Sequence, residues 1–454
     1  MGAGCGPPCR DRRKRPTRST GARSQLSQFT VEAATALPGP GWLRDPRRAA
    51  FERFQASELP TEAEEVWRYS RIDELDLERY SPAPGDPVPL DPLPAPLQAL
   101  LDAVGPRAGL VVSRNGRVVH TELDAKLSER GVVVGSVTEV PDGAELLAEA
   151  SEPAPDAYVE LATAFAADPV LVRVPPGVAV ERPILVLHWA DVEAGAIFPR
   201  TAVRASEASQ VSVVEQVCSS QVPGLVVPVA DLEVADAANV SYVAVQDVSP
   251  ETWYIGYQAS RVGQEATLSS FTAAFGGEYA RVRTDSRLVG RGGTSNLLAA
   301  YFGDGEQMHD FRTMQDHVAP KTTSDLLFKG AVEDLARSVY TGLIRVRKGA
   351  AGTNAFQTNR NLVLSEGAHA NSVPNLEIDE NDLSCSHASA VGPIDEEQRY
   401  YLESRGIPRG VAARLIVLGF FEDILSRTPV RGVESVLRKA VAAKLAHTEL
   451  GDAP

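Results

Sequence analysis

The chain is predicted to be mainly β, a parallel solenoid core flanked by helical regions at both ends. Three observations carry this. Aromatic residues make up 6% of 454 residues while Gly numbers 36 and Pro 32, a balance that suits many turns and small side chains. Short apolar runs recur from Val170 to Gly392 with no room for a ten-residue helix between them. Small residues precede these runs at Ala208, Ala238, Ala266 and Gly293, with spacings of 30, 28 and 27 residues, and Gly352 follows about two steps later. A period of this size marks stacked repeats, and without helices the repeat is a β-solenoid. A β-sandwich would share the turn chemistry and stays the alternative; the period favours the solenoid.

Residues 1–25 carry seven Lys/Arg against Asp11 alone, within a chain of net charge −15. This basic head is expected to be a disordered leader, or an extension upstream of the true start. The acidic body is a poor partner for nucleic acid. No apolar segment follows the arginines, and the run Leu415 to Phe421 is far too short to span a bilayer, so a cytoplasmic protein without membrane contact is expected. Cys5, Cys9, Cys218 and Cys385 are few and scattered, which points to a reducing compartment.

Residues 26–100 read as short helices ending in a proline-rich linker. Asp45-Pro46 opens one helix with Phe51 and Phe54 inward, and Thr61 to Glu64 is a capping-box pattern opening a second through Trp67. Trp67 and Tyr69 are expected as core or docking aromatics. Seven prolines between Pro82 and Pro96 predict an extended segment. Residues 101–168 form a mixed α/β lead-in: Asn115-Gly116 signals a hairpin within 108–137, and 146–150 and 158–167 look helical. The solenoid occupies 169–392. In 393–454, Asp395 caps a helix that stops at Gly406, Pro408 starts a second, and 431–447 form a third. So short a tail is expected to dock an apolar face on the solenoid or a partner.

Nucleotide chemistry is not this chain's own, because no phosphate-binding glycine loop is present. Two polar groups remain as candidates. His309, Asp310 and His317 form one, but on a straight strand His309 and His317 stand about 26 Å apart, too far for one metal. Cys385 and His387 form the other; at i, i+2 on a strand they share a face with Cα atoms about 6.6 Å apart. Two ligands are half of a zinc or iron–sulfur site, and neither Cys218 nor His369 has a spacing that recommends it as a third. The missing ligands are expected from another subunit. The alternative is that Leu383, Cys385 and His387 stack inside the core.

Pro374 to Ile378, Cys385-Ser386-His387, Val391-Gly392, Asp395-Glu396, Tyr400 to Leu402 and Ser404 to Ile407 together resemble the C-terminal signature of the SufB/SufD family, scaffolds of SUF iron–sulfur cluster assembly. Agreement extends through Glu64 to Tyr69, His309, Asp310, Thr313, His317, Ser324, Lys329-Gly330, Gly342 and Gln357 to Asn359, covering roughly residues 60 to 425. Cys385-Ser386-His387 favours the SufD branch; a SufB-like paralogue carries Glu-His-Glu there. Ala388-Ser389 stands where the family usually has Gly-Ala. The resemblance implies a right-handed parallel β-helix between helical domains, a non-catalytic scaffold subunit, pairing with a SufB-like paralogue, and a SufC-like ABC ATPase bound at the C-terminal helices, for which Arg405, Gly406, Phe420 and Phe421 are the expected contacts. It further implies that Cys385 and His387 handle iron or a transient iron–sulfur cluster at the paralogue interface, with reduced FAD on the complex as a family precedent. The rival from another class is a polysaccharide-active β-helix enzyme, which needs an acidic groove flanked by aromatics; low aromatic content counts against it.

Overall fold

A computed structural model describes residues 28–83, 88–148 and 154–446. The basic leader, Cys5 and Cys9 lie outside the described residues.

Two sheets wind into a parallel solenoid. One runs through Val133–Ser136, Val170–Val174, Arg200–Ala205, Val229–Val234, Thr252–Val262, Tyr279–Leu288, Met308–His317, Arg337–Val346 and His369–Ile378. The other runs through Arg117–Leu123, Gly109–Arg114, Ile184–Ala190, Gln210–Ser219, Asn239–Asp247, Thr267–Ala274, Thr294–Gly303, Thr323–Val332, Thr353–Val363 and Leu383–Gly392. From Val170 onward each strand pairs in parallel with its counterpart one coil away, so Gln210, Asn239, Thr267, Thr294 and Thr323 stack in register. The small-residue repeat marks one corner of each coil, where the chain adopts positive φ at Ala208, Ala237, Glu265, Gly292, Lys321 and Gly352. A left-handed residue at every corner turns the strand without a long loop, which is why the period survives in the sequence while the corner residues vary.

The interior changes along the axis. Early coils pack Val172, Ile184, Val203, Val213, Leu232 and Val240, a largely aliphatic stack around buried His188 and Glu215. Later coils enclose Tyr301, Phe311, Phe328 and Tyr340 together with buried His309, Gln315, His317, Gln357, Asn359 and Asn361.

Helices cover the outer faces. The hairpin at Asn115-Gly116 forms, both residues having positive φ. The helices α1 (Val31–Ala36), α2 (Arg44–Ala56), α3 (Ala95–Val104), α4 (Ala125–Glu129), α5 (Gly143–Ala148) and α6 (Ala157–Phe165) precede the solenoid. Phe51, Phe54, Trp67 and Phe165 pack on Trp253, Tyr257 and Tyr279 of the first sheet. After the solenoid come α7 (Glu396–Ser404), α8 (Arg409–Leu425) and α9 (Val433–Ala446). Phe421, Val433 and Leu437 join Leu97 and Leu100 of α3 against Phe271 and Phe302 of the second sheet. The tail therefore docks on its own solenoid.

Three local expectations are corrected. Thr61 and Glu64 do bond, the Thr61 N–H donating to Glu64 Oε1 at 3.0 Å, but they open only a single 3-10 turn, Glu65–Trp67. The chain reverses at Tyr69, which has a φ of 66° and ends any helix; its ring is 53% exposed rather than docked. The extended proline segment stops before Pro96, because α3 begins at Ala95 with that proline in its first turn, where no N–H is required.

Candidate functional site

Strand Leu383–Gly392 is the last of its sheet and pairs on one side only, with Thr353–Val363. Its neighbour in the chain, His369–Ile378, likewise ends the other sheet. The final coil is thus an uncovered end, and Leu376, Ile378 and Val391 of its inner column are 37–44% exposed. The strand runs without a break through Ala388 and Ser389, registered with Thr358 and Asn359, so the extra Cβ at Ala388 is accommodated.

Cys385 and His387 sit on this last rung. Cys385 is registered with Ala355 and His387 with Gln357, and strand alternation gives both the same face. Leu383 and Cys385 pack on Ile344, Val346, Ala350 and Ala355, as a core stack would, but His387 is exposed. Cys385 is half-buried, and that burial raises its thiol pKa; nothing cationic among the described residues activates it. Among the described residues no group of three or more His, Cys, Asp or Glu could hold a metal. Cys218 is buried six strands away in the same sheet, about 29 Å at ordinary strand spacing. The pair is two donors at an open edge.

The second polar group does not assemble. His309, Asp310 and His317 share strand Met308–His317, so alternation turns Asp310 away from the two histidines. His309 Nε2 meets the Gly276 carbonyl at 3.2 Å, while His317 meets Thr322 Oγ1 at 2.8 Å and Ser324 Oγ at 2.9 Å. Burial lowers both imidazoles to about 4, so both are neutral near pH 7. Asp310 faces outward beneath the N-terminal region and accepts from Tyr279 and Arg281 at 2.7 Å and from Arg312 at 2.6 Å. Burial alone would raise its pKa; Arg281 and Arg312 outweigh it and hold the carboxylate low. Those arginines also donate to the Val66 and Arg68 carbonyls, so this knot fastens the Glu64 to Tyr69 segment to the solenoid.

A further constellation escaped sequence reasoning. Ser113 Oγ lies 2.6 Å from His188 Nδ1, and His188 Nε2 lies 2.9 Å from Glu215 Oε1. The three residues are 2%, 4% and 6% exposed, and Glu215 also accepts from Thr201 and Tyr242. Sealed from solvent, this is a cross-link between coils; its members lie 75 and 27 residues apart, leaving no local motif to find.

At the tail, Arg405 and Gly406 are exposed at the end of α7, Gly406 having a φ of 86°. Phe421 is fully buried, its ring 6.0 Å from Phe302, so it holds α8 on the solenoid. Phe420 is half-buried with Lys329 Nζ 4.7 Å over its ring. The acidic cleft that a polysaccharide enzyme would need is approximated by a 730 Å³ depression with Glu251, Glu278, Asp304 and Glu306, but no aromatic ring lines it. Among the described residues no helix is long and apolar enough to cross a membrane.

Comparison with known proteins agrees with this architecture. Residues 188–420 match the family described as SUF system FeS cluster assembly, SufBD core domain, and residues 103–186 match the SufBD protein N-terminal region. The chain is 27% identical to the iron-sulfur cluster assembly protein SufD of Bacillus subtilis over 89% of its own length and 94% of that protein's. It is 25% identical to SufD of Escherichia coli over 85% and 89%, respectively. An iron-sulfur cluster assembly SufBD family protein of Mycobacterium tuberculosis is 39% identical over 224 residues, and there the chain spans little more than half, 56%, of the relative's length. With the core match covering half of the chain and continuing into the N-terminal region, the chain belongs to the SufBD family of SUF-system iron–sulfur cluster assembly proteins.

Proposed function

We propose that this chain is a SufD-type scaffold subunit, non-catalytic itself, and that Cys385 and His387 present two ligands for iron or a nascent iron–sulfur cluster. The observation that carries the proposal is their position: both stand on the terminal rung, which is paired on one side only, with no third donor among the described residues to complete a site. A paralogous SufB-type subunit covering this end supplies the missing ligands. Its docking also covers the edge strands and the exposed Leu376, Ile378 and Val391, which are a liability in a lone chain. Iron and sulfide are cargo here, delivered and passed on. ATP hydrolysis belongs to a SufC-type ATPase docked on α7 and α8, with Arg405 and Gly406 at the contact and Phe420 beside it. No residue of this chain is assigned to a flavin.

The test is co-purification under anaerobic conditions from cells expressing all three subunits. Cys385→Ala and His387→Ala should leave the complex assembled while the cluster absorption is lost. Full cluster assembly by the double variant would sink the ligand role.

A further inference from the structure

The inner face of strand Thr353–Val363 carries four polar side chains, and three of them are bonded. Thr353 donates to the Ala350 carbonyl at 2.7 Å. Asn359 donates to Tyr301 Oη at 3.2 Å, and Asn361 accepts from the same hydroxyl at 2.6 Å while donating to Asn359 Oδ1 at 2.7 Å. Gln357 stands between them, 1% exposed, and neither its Nε2 nor its Oε1 has a hydrogen-bond partner. An unpaired buried carboxamide is destabilising, so such a group in a native interior calls for an explanation.

Two placements supply one. Gln357 is registered with His387, and the adjacent inward residue, Ala355, with Cys385, so the amide lies one rung beneath the proposed ligand pair and on the same face. Across the interior stands Gly342. A Cβ there would fall 2.4 Å from Gln357 Nε2 and 2.7 Å from its Cδ, closer than packed atoms approach. The missing side chain at 342 leaves the volume that the amide occupies.

We infer that Gln357 is a positioning residue for the Cys385/His387 site, its Oε1 accepting the ring N–H of His387 so that the other imidazole nitrogen is presented to the metal. This inference rests on the ligand reading proposed above. The chemistry follows from the side chains: a metal-bound imidazole keeps one N–H to donate, and an acceptor for it fixes the tautomer and the ring orientation. Gln357 is the neighbouring interior group with both polar atoms uncommitted.

The experiment titrates the complex of the full-length chain with its SufB-type partner, anaerobically, with Co²⁺ as the probe and follows the thiolate-to-cobalt absorption. Gln357→Met keeps the shape and removes the acceptor; it should weaken apparent Co²⁺ affinity 10- to 100-fold while the unfolding midpoint stays the same or rises. Gln357→Glu, which retains an acceptor, should restore binding, an outcome that a purely structural role would not give. Should the Met variant fail to fold, Gln357→Asn, which shortens the reach by one methylene, is read in its place. An affinity within twofold of the parent for Gln357→Met, or for Gln357→Asn where it is read in its place, overturns the inference while Cys385→Ala still abolishes the band. A band absent from the parent complex, or unmoved by Cys385→Ala, overturns the ligand reading and this inference with it.

Discussion

The Arg281 guanidinium lies 3.5 Å over the Trp67 ring, joining residues 214 positions apart in the chain. The same guanidinium donates to Asp310 at 2.7 Å and to the Val66 carbonyl at 3.1 Å. One cation thus ties the N-terminal segment to the middle of the solenoid, and Trp67, 2% exposed, supplies both the apolar volume and the π face that satisfies it. Trp67→Ala is expected to cost about 3–5 kcal/mol and to expose the region around residues 60–80 to proteolysis. An unchanged urea midpoint and cleavage pattern would show that the N-terminal segment is held elsewhere.

Lys329 fastens the other side. Its ammonium donates to the Phe420 carbonyl at 3.0 Å and pairs with Asp423 at 2.6 Å, from a side chain only 4% exposed. The bond to Lys329 is the main reason the Asp423 pKa is lowered. Lys329→Met leaves that carbonyl and carboxylate without their buried donor, a loss of roughly 1–3 kcal/mol. Hydrogen exchange across 409–425 should accelerate by about 5- to 100-fold if α8 lifts without global unfolding. Unaltered exchange would mean that Phe421 on Phe302 suffices.

The two interior histidines make stability depend on pH. Each has a folded pKa of about 4, lowered by burial, against about 6.5 in an unfolded chain. Lys444 pushes His309 further down while Asp304 opposes; Asp316 opposes the shift at His317. The unfolded state therefore binds more protons between these values, so the stability each neutral histidine confers is complete above pH 6.5 and disappears as pH falls toward 4. The loss is on the order of 3 kcal/mol for each. Glu215 acts in the same direction: burial would raise its pKa, but His188, Thr201 and Tyr242 hold it low, so its contribution also vanishes in acid. A urea midpoint that declines from pH 7 to 4.5, with the slope reduced in His317→Gln, is expected; a flat profile in the parent chain would contradict it.

What the sequence made legible follows from what is periodic or local. The solenoid was readable because each coil needs a left-handed corner at the same phase, and the hairpin at Asn115-Gly116 and the Asp395 cap were readable because their chemistry lies within a few residues. Cys385 and His387 were visible as a pair for the same reason, since two residues on one strand face need no fold to bring them together. The uncovered end on which they stand was not visible, because it depends on where the stacking of strands stops. Trp67 on Arg281, and Ser113 with His188 and Glu215, join positions tens to hundreds of residues apart, and no spacing rule anticipates them. Phe420 and Phe421 show the remaining limit: adjacent and chemically identical, they differ in exposure because helical rotation aims Phe421 at Phe302.

That difference separates two roles in the tail. Tyr400 and Tyr401 are 73% and 58% exposed, and Val411, Leu415 and Leu418 are 44%, 47% and 38% exposed; all lie on α7 or α8. α7 has no buried residue at all, an arrangement that a helix packed only on its own chain would not show. If the ATPase docks here, Leu415→Glu or Tyr401→Glu should abolish its co-purification while leaving circular dichroism and the urea midpoint within about 0.5 kcal/mol of the parent, as exposed positions allow. Phe421→Ala should behave in the opposite order. It removes a stacked ring from the interior at a cost of about 3–5 kcal/mol, loosens α8 first, and weakens ATPase binding only in proportion to that loosening. Retention of the ATPase by both glutamate variants would place the contact elsewhere and leave the exposed face of α7 and α8 to another partner.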